Sequence, residues 1–292
     1  MNLEKAIEAW ELVNDGIEPK SLVDARLQAH WAAQIIGGVG EALVTPVPDF
    51  SHTSMNWVEE HRALAGQMTS VGVRLGLQVA AMTIVVIDDA NETVESLSLS
   101  GHTLANALLW TIGVLERRAG STLPAKIEIP NYEMPSHAVS LGEPFLLRRK
   151  AHFEELARWY ANAARFESVV HENTLGASPV RCWPHHFDIA SLVSLDGPGA
   201  NPESARSIGF GLSPGDSSYD QPYFYINPWP FPETLDDAPA LDGNGHWHSE
   251  GWFGAVLPAS ALNDNDPPRQ AEQVAAYVRS AMAADRAILG TL

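Results

Sequence analysis

The sequence predicts an α+β protein built of two similar mixed halves, each with antiparallel strands and flanking helices. Three observations carry that expectation. Apolar residues recur every three or four positions through several long stretches, the pattern of helices with one buried face. Between these stretches lie short β-branched and aromatic runs bounded by Gly, Pro, Asn and Asp, which read as strands joined by tight turns. The order of elements also recurs. A helix carrying an aromatic (His30-Trp31, then Arg158-Trp159) precedes a loop with histidine, then a Val-Arg pair opening a run that ends in Asp, Val73 to Asp88 and Val180 to Asp196. This order suggests an internal duplication, with halves 1–148 and 149–292 packed as one compact unit.

Taken in chain order, Ser21 to Ile36 reads as a helix. Ser21 is placed to cap it, Asp24 suits its first turn, and Leu27, Trp31 and Ile35 repeat every four residues. Gly37, Gly38 and Gly40 are expected to weaken it. The prolines of Pro46-Val47-Pro48 then forbid regular pairing and mark a loop through His52. Val73 to Ile87 reads as one long strand or two short ones, with Val94 to Leu99 as a hairpin partner. Leu104, Leu108, Ile112 and Leu115 mark a helix ending near Gly120. A further helix spans about Arg149 to Val170. Strands are expected over Val180–Leu195, Ser207–Leu212, Tyr223–Asn227 and His246–Leu257, and a last helix over Pro268–Ile288, capped by Asp266.

Composition narrows the function. With 45% hydrophobic residues among 292, the chain can bury a substantial core. Its 36 acidic against 18 basic side chains, a formal charge of -18, repel nucleic-acid phosphates and anionic lipid surfaces, so neither is an expected partner. The first residues lack a basic segment followed by an apolar core, and Leu77 to Ile87 is too short to span a bilayer; a cytoplasmic protein is expected. Cys182 is the only cysteine, which excludes an internal disulfide and a thiolate-rich zinc site.

The most concentrated chemistry lies in Trp183-Pro184-His185-His186-Phe187-Asp188. Read as a strand, this segment puts His186 and Asp188 on one face, a spacing suited to two ligands of a divalent metal. In His246-Trp247-His248-Ser249-Glu250 the same alternation puts His246, His248 and Glu250 together. Two histidines and a carboxylate drawn from these sets would leave open positions on non-haem iron, or would hold zinc that activates water. His185, and His52 in its proline-bounded loop, are candidates to move a proton. Trp183, Tyr223, Tyr225, Trp229 and Trp252 supply rings for an aromatic-lined cleft. Each pattern has a plainer reading. Histidines beside aromatics often pack in a core, and the turn Asp242-Gly243-Asn244-Gly245 would leave His246 and His248 solvated. The glycines of Gly209-Phe210-Gly211 are followed by no lysine, and no Gly-x-Ser-x-Gly elbow occurs, which argues against a phosphate loop and against a serine hydrolase of that type.

The motifs Ala29-His30-Trp31-Ala32-Ala33-Gln34, Ser51-His52-Thr53, Trp183-Pro184-His185-His186-Phe187-Asp188, Ser213-Pro214-Gly215-Asp216, Pro222-Tyr223-Phe224-Tyr225 and Gly251-Trp252-Phe253-Gly254-Ala255-Val256-Leu257-Pro258 together resemble an uncharacterised bacterial family known only as a domain of unknown function. The resemblance covers nearly the whole chain. It implies one continuous unit and weight on the W-P-H-H-F-D string, but no activity, cofactor or catalytic residue.

The function expected from the sequence is a metal-assisted enzyme, hydrolase or non-haem iron oxygenase, acting on a small molecule. His186 and Asp188 ligate zinc or iron, His246, His248 or Glu250 completes the site, and His185 or His52 moves a proton. The competing readings are a non-catalytic small-molecule binder and a structural assembly subunit, with homo-oligomerisation open in each.

Overall fold

The computed structural model describes residues 3–197, 199–201, 204–232 and 238–291. Its helices are α1 (Glu4–Glu8), α2 (Val23–Leu43), α3 (Leu104–Ala119), α4 (Lys150–Asn173) and α5 (Pro267–Ile288). The strands are β1 (Asn56–Val58), β2 (Ala63–Ala65), β3 (Val73–Gln78), β4 (Thr83–Asp88), β5 (Thr93–Ser98), β6 (Arg181–Cys182), β7 (Ile189–Ser194), β8 (Ser207–Ser213), β9 (Tyr223–Trp229), β10 (His246–His248) and β11 (Gly254–Pro258). The fold is α+β, with two antiparallel sheets. Among the described residues no helix is long and apolar enough to cross a membrane.

Contacts divide the chain into two units, neither continuous in sequence. The meander unit takes Leu22–Ala157 and Arg181–Phe187, and the terminal unit takes Met1–Ser21, Arg158–Val180 and Asp188–Leu292.

In the meander unit the strands run β1-β2-β3-β4-β5, each antiparallel to the one before. The Val73–Ile87 run is two strands, broken at Val79–Ala81, where Met82 adopts a left-handed conformation and lets the chain reverse. Ile84, Val85, Val86 and Ile87 are all buried, so β4, between β3 and β5, is covered on both faces. Helix α3 begins and ends as its sequence indicates: Thr103 accepts the backbone N–H of Asn106 at 3.1 Å, and Gly120 closes it at φ 67°.

Helix α2 departs from expectation at both ends. It starts at Val23 after Leu22, with Ser21 left outside and its hydroxyl donating to the carbonyl of Glu18, and it runs through Gly37, Gly38 and Gly40 to Leu43. Those glycines cost helix stability by the absence of a side chain, yet they open a face to close neighbours. A Cβ on Gly38 would lie 2.2 Å from the carbonyl oxygen of Glu128, and one on Gly40 would lie 2.6 Å from that of His52. Packing against backbone therefore outweighs propensity.

The expected strand through Val180–Leu195 is also corrected. It is interrupted after Cys182, which exchanges backbone hydrogen bonds with Met55, and residues 184–186 form a turn closed by the N–H of Phe187 on the carbonyl of Trp183 at 2.7 Å. Phe187 sits at φ 58°. With the strand broken, alternation no longer sets the faces of His185, His186 and Asp188.

The terminal unit holds the strands β10-β11-β9-β8-β7 in that spatial order. One sheet face carries Ile189, Val193, Ile208, Phe210, Leu212, Phe224 and Ile226, all buried. Helix α5 packs on β9 and β11, and Tyr277 donates its hydroxyl to the carbonyl of Ala255 at 2.8 Å. Proline at the first turn of α5 starts the helix as expected, but Asp266 makes no side-chain cap bond. The N-terminal segment is tied in by Gln270, which accepts from the indole of Trp10 at 3.0 Å and bonds both the N–H and the carbonyl of Val13. Asn162 of α4 likewise bonds both backbone groups of Glu11.

Candidate functional site

The sheet face opposite the apolar one carries the chemistry. Strand alternation puts Tyr223 and Tyr225 of β9 on it, and the registers Tyr225↔Val256 and Val256↔His246 bring His246 and His248 of β10 to the same face. Gly211 of β8 faces Tyr225 directly in register, and a Cβ there would stand 2.7 Å from the phenol carbon and oxygen. With no side chain in the way, the Tyr225 ring lies across β8. Its hydroxyl donates to Asp188 Oδ2 at 2.6 Å, immediately before β7.

Behind this pair stands Glu167 of α4. It is fully buried, and neither carboxyl oxygen has a hydrogen-bond partner among the described residues. Burial first, and then the charge of Asp188, hold the Glu167 carboxyl well above the usual carboxylate range. Burial and Asp188 push the Tyr225 phenol up as well, which keeps its proton on oxygen.

A second array lies beside the first. Asp216 follows β8 in Ser213-Pro214-Gly215-Asp216, accepts the N–H groups of Ser218 and Tyr219 at 2.7 and 3.0 Å, and so shapes the loop that presents Tyr219. Its other oxygen accepts from the Tyr223 hydroxyl at 2.6 Å. Tyr219 Oη sits 3.0 Å from His246 Nε2 and 3.1 Å from His248 Nδ1. The direction of this chain follows from its far end. His248 Nε2 lies 2.9 Å from the carbonyl oxygen of Glu250, which can only accept, so Nε2 carries the hydrogen and, in that tautomer, Nδ1 accepts from Tyr219. The phenol oxygen then accepts from His246 Nε2–H. Burial, and then neighbouring His248, lower the pKa of His246, which favours this neutral form. Trp252 covers the group, 4.4 Å from the His248 ring and 6.3 Å from that of Tyr223.

The site residues expected from sequence divide between the units. Tyr223, Tyr225, Trp252, His246, His248 and Asp188 come together in the terminal unit. Trp229 does not join them: it stands at the other end of β9, paired in register with Ser207. Glu250 lies past the end of β10, so alternation does not carry it to the face of His246 and His248; its carbonyl, rather than its carboxylate, meets His248. Trp183, His185, His186 and His52 belong to the meander unit. There the carbonyl of Pro184 accepts from His30 Nε2 at 2.9 Å and from Gln34 at 2.7 Å, Tyr132 donates to Gln34, and His30 stacks on Phe187 at 5.1 Å. Burial above all depresses the His30 pKa to about 4, consistent with a neutral ring donating from Nε2. His185 and His186 are exposed, their rings 4.4 Å apart. His52 is buried, its Nδ1 accepting the N–H of Val47 at 3.3 Å and its Nε2 3.3 Å from Glu41. Among the described residues, no three His, Cys, Asp or Glu side chains are grouped to hold a metal ion.

The reading from sequence missed Glu167, Asp216 and Tyr219. Glu167 had a signal: it occupies the apolar stripe of α4 with Tyr160, Ala163 and Val170, where a carboxyl is costly. Asp216 and Tyr219 had only a turn motif. No protein-family model, no curated protein and no solved structure matches the chain.

Proposed function

We propose that the chain is an acid–base enzyme that takes a small ring-bearing molecule onto the Tyr219 and Trp252 rings of the terminal unit and exchanges a proton with it through His246, Tyr219 and His248. The observation that carries this reading is the Tyr219 hydroxyl held between two imidazoles, with the sense of both hydrogen bonds set by the Glu250 carbonyl. Such a chain passes a proton by reversing its bonds, and it begins at an exposed imidazole, His246. Tyr225, Asp188 and Glu167 form the rigid floor beneath it, since each is buried or bonded and none is free to turn toward solvent.

The test begins with ligand-observed NMR on three classes of ring compound: monosaccharides, nucleosides and aromatic carboxylic acids. At least one class is expected to bind and to lose binding tenfold or more in Trp252→Ala. With that compound, Tyr219→Phe keeps the ring and is expected to retain binding while proton exchange or turnover falls at least a hundredfold. No binder in any class, or a Tyr219→Phe variant as active as the parent, sinks the proposal. Metal content is measured on the same untagged protein. Zinc, iron or manganese near stoichiometry and lost in His246→Ala would replace the relay by metal-assisted chemistry on these same imidazoles.

A further inference from the structure

The terminal unit contains a concavity of about 1260 Å³, which the proposed reaction does not use. It lies where β7 ends, β8 begins and β9 ends, and the last turns of α5 form one side of it. Trp229 lines it, four residues along β9 from Tyr225 and so roughly 14 Å away. The volume accommodates a drug-sized ligand, for which pockets of roughly 300–1,000 Å³ are usual.

Two independent features of its lining point to one kind of occupant. The first is exposed apolar surface. Leu175, Leu192 and Trp229 are 98%, 46% and 41% exposed, and all three line this one cavity. Single exposed apolar residues are ordinary, whereas a convergent set in a concavity marks a binding surface. The second is positive charge. The chain has only 18 Lys and Arg against 36 Asp and Glu, yet Arg206, Arg279 and Arg286 all line the cavity. Arg206 is already engaged, with Asp196 at 2.6 Å and the carbonyl of Leu289 at 3.1 Å, and serves as a fixed wall. Arg279 and Arg286 are two helical turns apart on one face of α5, and among the described residues no acid pairs with either.

We propose that this cavity binds a small organic anion with an apolar body, an alkyl chain or ring bearing one carboxylate. The body lies on Leu175, Leu192 and Trp229, and the carboxylate meets the guanidiniums of Arg279 and Arg286, whose planar forks match its two oxygens. A net charge of -18 opposes anions over the surface at large, so recognition of the head must be local.

Calorimetric titration of the whole protein with decanoate, and with uncharged decanol at equal concentration, tests this. Decanoate is expected to bind at 1:1, to bind at least tenfold more tightly than decanol, and to weaken tenfold or more in Arg279→Ala/Arg286→Ala and several-fold in Trp229→Ala. If the double variant does not fold, Arg279→Gln and Arg286→Gln singly make the same measurement. The proposal is overturned by no decanoate binding at millimolar concentration, by equal binding of decanol, by unchanged affinity in the arginine variants, or by inorganic phosphate binding as tightly as decanoate.

Discussion

At the scale of single residues, the terminal unit keeps two carboxyls where water does not reach. Asp285 on α5 is buried, with no hydrogen-bond partner for either oxygen among the described residues, and burial pushes its pKa up to about 8. The folded protein therefore holds a proton that the unfolded chain releases above its ordinary value near 3.8. Stability must fall as pH rises from about 4 to about 8, with a slope of at most about 1.4 kcal/mol per pH unit for this one proton. Glu167 acts in the same direction. Urea unfolding at pH 5 and pH 8 should show the parent losing stability between them and Asp285→Asn losing distinctly less; equal losses would show that Asp285 is charged in the fold. His30 in the meander unit has the opposite sign. Its depressed pKa means the unfolded chain binds the extra proton, so its contribution is lost as pH falls from 6.5 toward about 4.

At the scale of elements, legibility depended on whether local pattern or a distant neighbour decided the outcome. Helix α3 was readable because Leu104, Leu108, Ile112 and Leu115 repeat at helical spacing and Gly120 ends it, and β8 and β9 were readable as apolar and aromatic runs bounded by Gly, Pro and Asp turns. Helix α2 was cut short in the reading because Gly37, Gly38 and Gly40 look like breakers until the backbone of Glu128 and His52 is placed against them. The Trp183–Phe187 turn was read as strand for a similar reason. What holds it is a pair of donors about 150 residues earlier, His30 and Gln34, sharing the Pro184 carbonyl, and no local signal reports them. For the site, the two tyrosines, Trp252 and the histidine pair were legible as types and spacings, but the hydroxyl that joins the imidazoles comes from a loop. The turn gives a direct test. Gln34→Ala removes one donor to Pro184 and the acceptor of Tyr132, and should destabilise the protein by about 1–3 kcal/mol while raising hydrogen exchange at the Phe187 amide. Protection at Phe187 equal to the parent's would mean the turn holds itself.

At the scale of the whole molecule, charge and chain order matter most. An excess of 18 negative charges stores self-repulsion in the folded state, and salt relieves it over a Debye length of about 10 Å at 0.1 M. The melting temperature should therefore rise between 10 and 200 mM sodium chloride, as followed by circular dichroism; a fall would mean that the ion pairs, among them Arg206 with Asp196 and Arg165 with Glu11, outweigh the repulsion. Chain order adds a constraint in time. Trp10 and Gln270 are partners 260 residues apart, so a ribosome delivers Gln270 and the rest of α5 long after Trp10. The segment around Trp10 and Val13 must thus wait for α5 while the residues between them are made, whereas the five-strand meander has all its strands by Ser98. A chaperone that guards this chain would be expected to seize it around Trp10 and Val13, before Gln270 exists to release it.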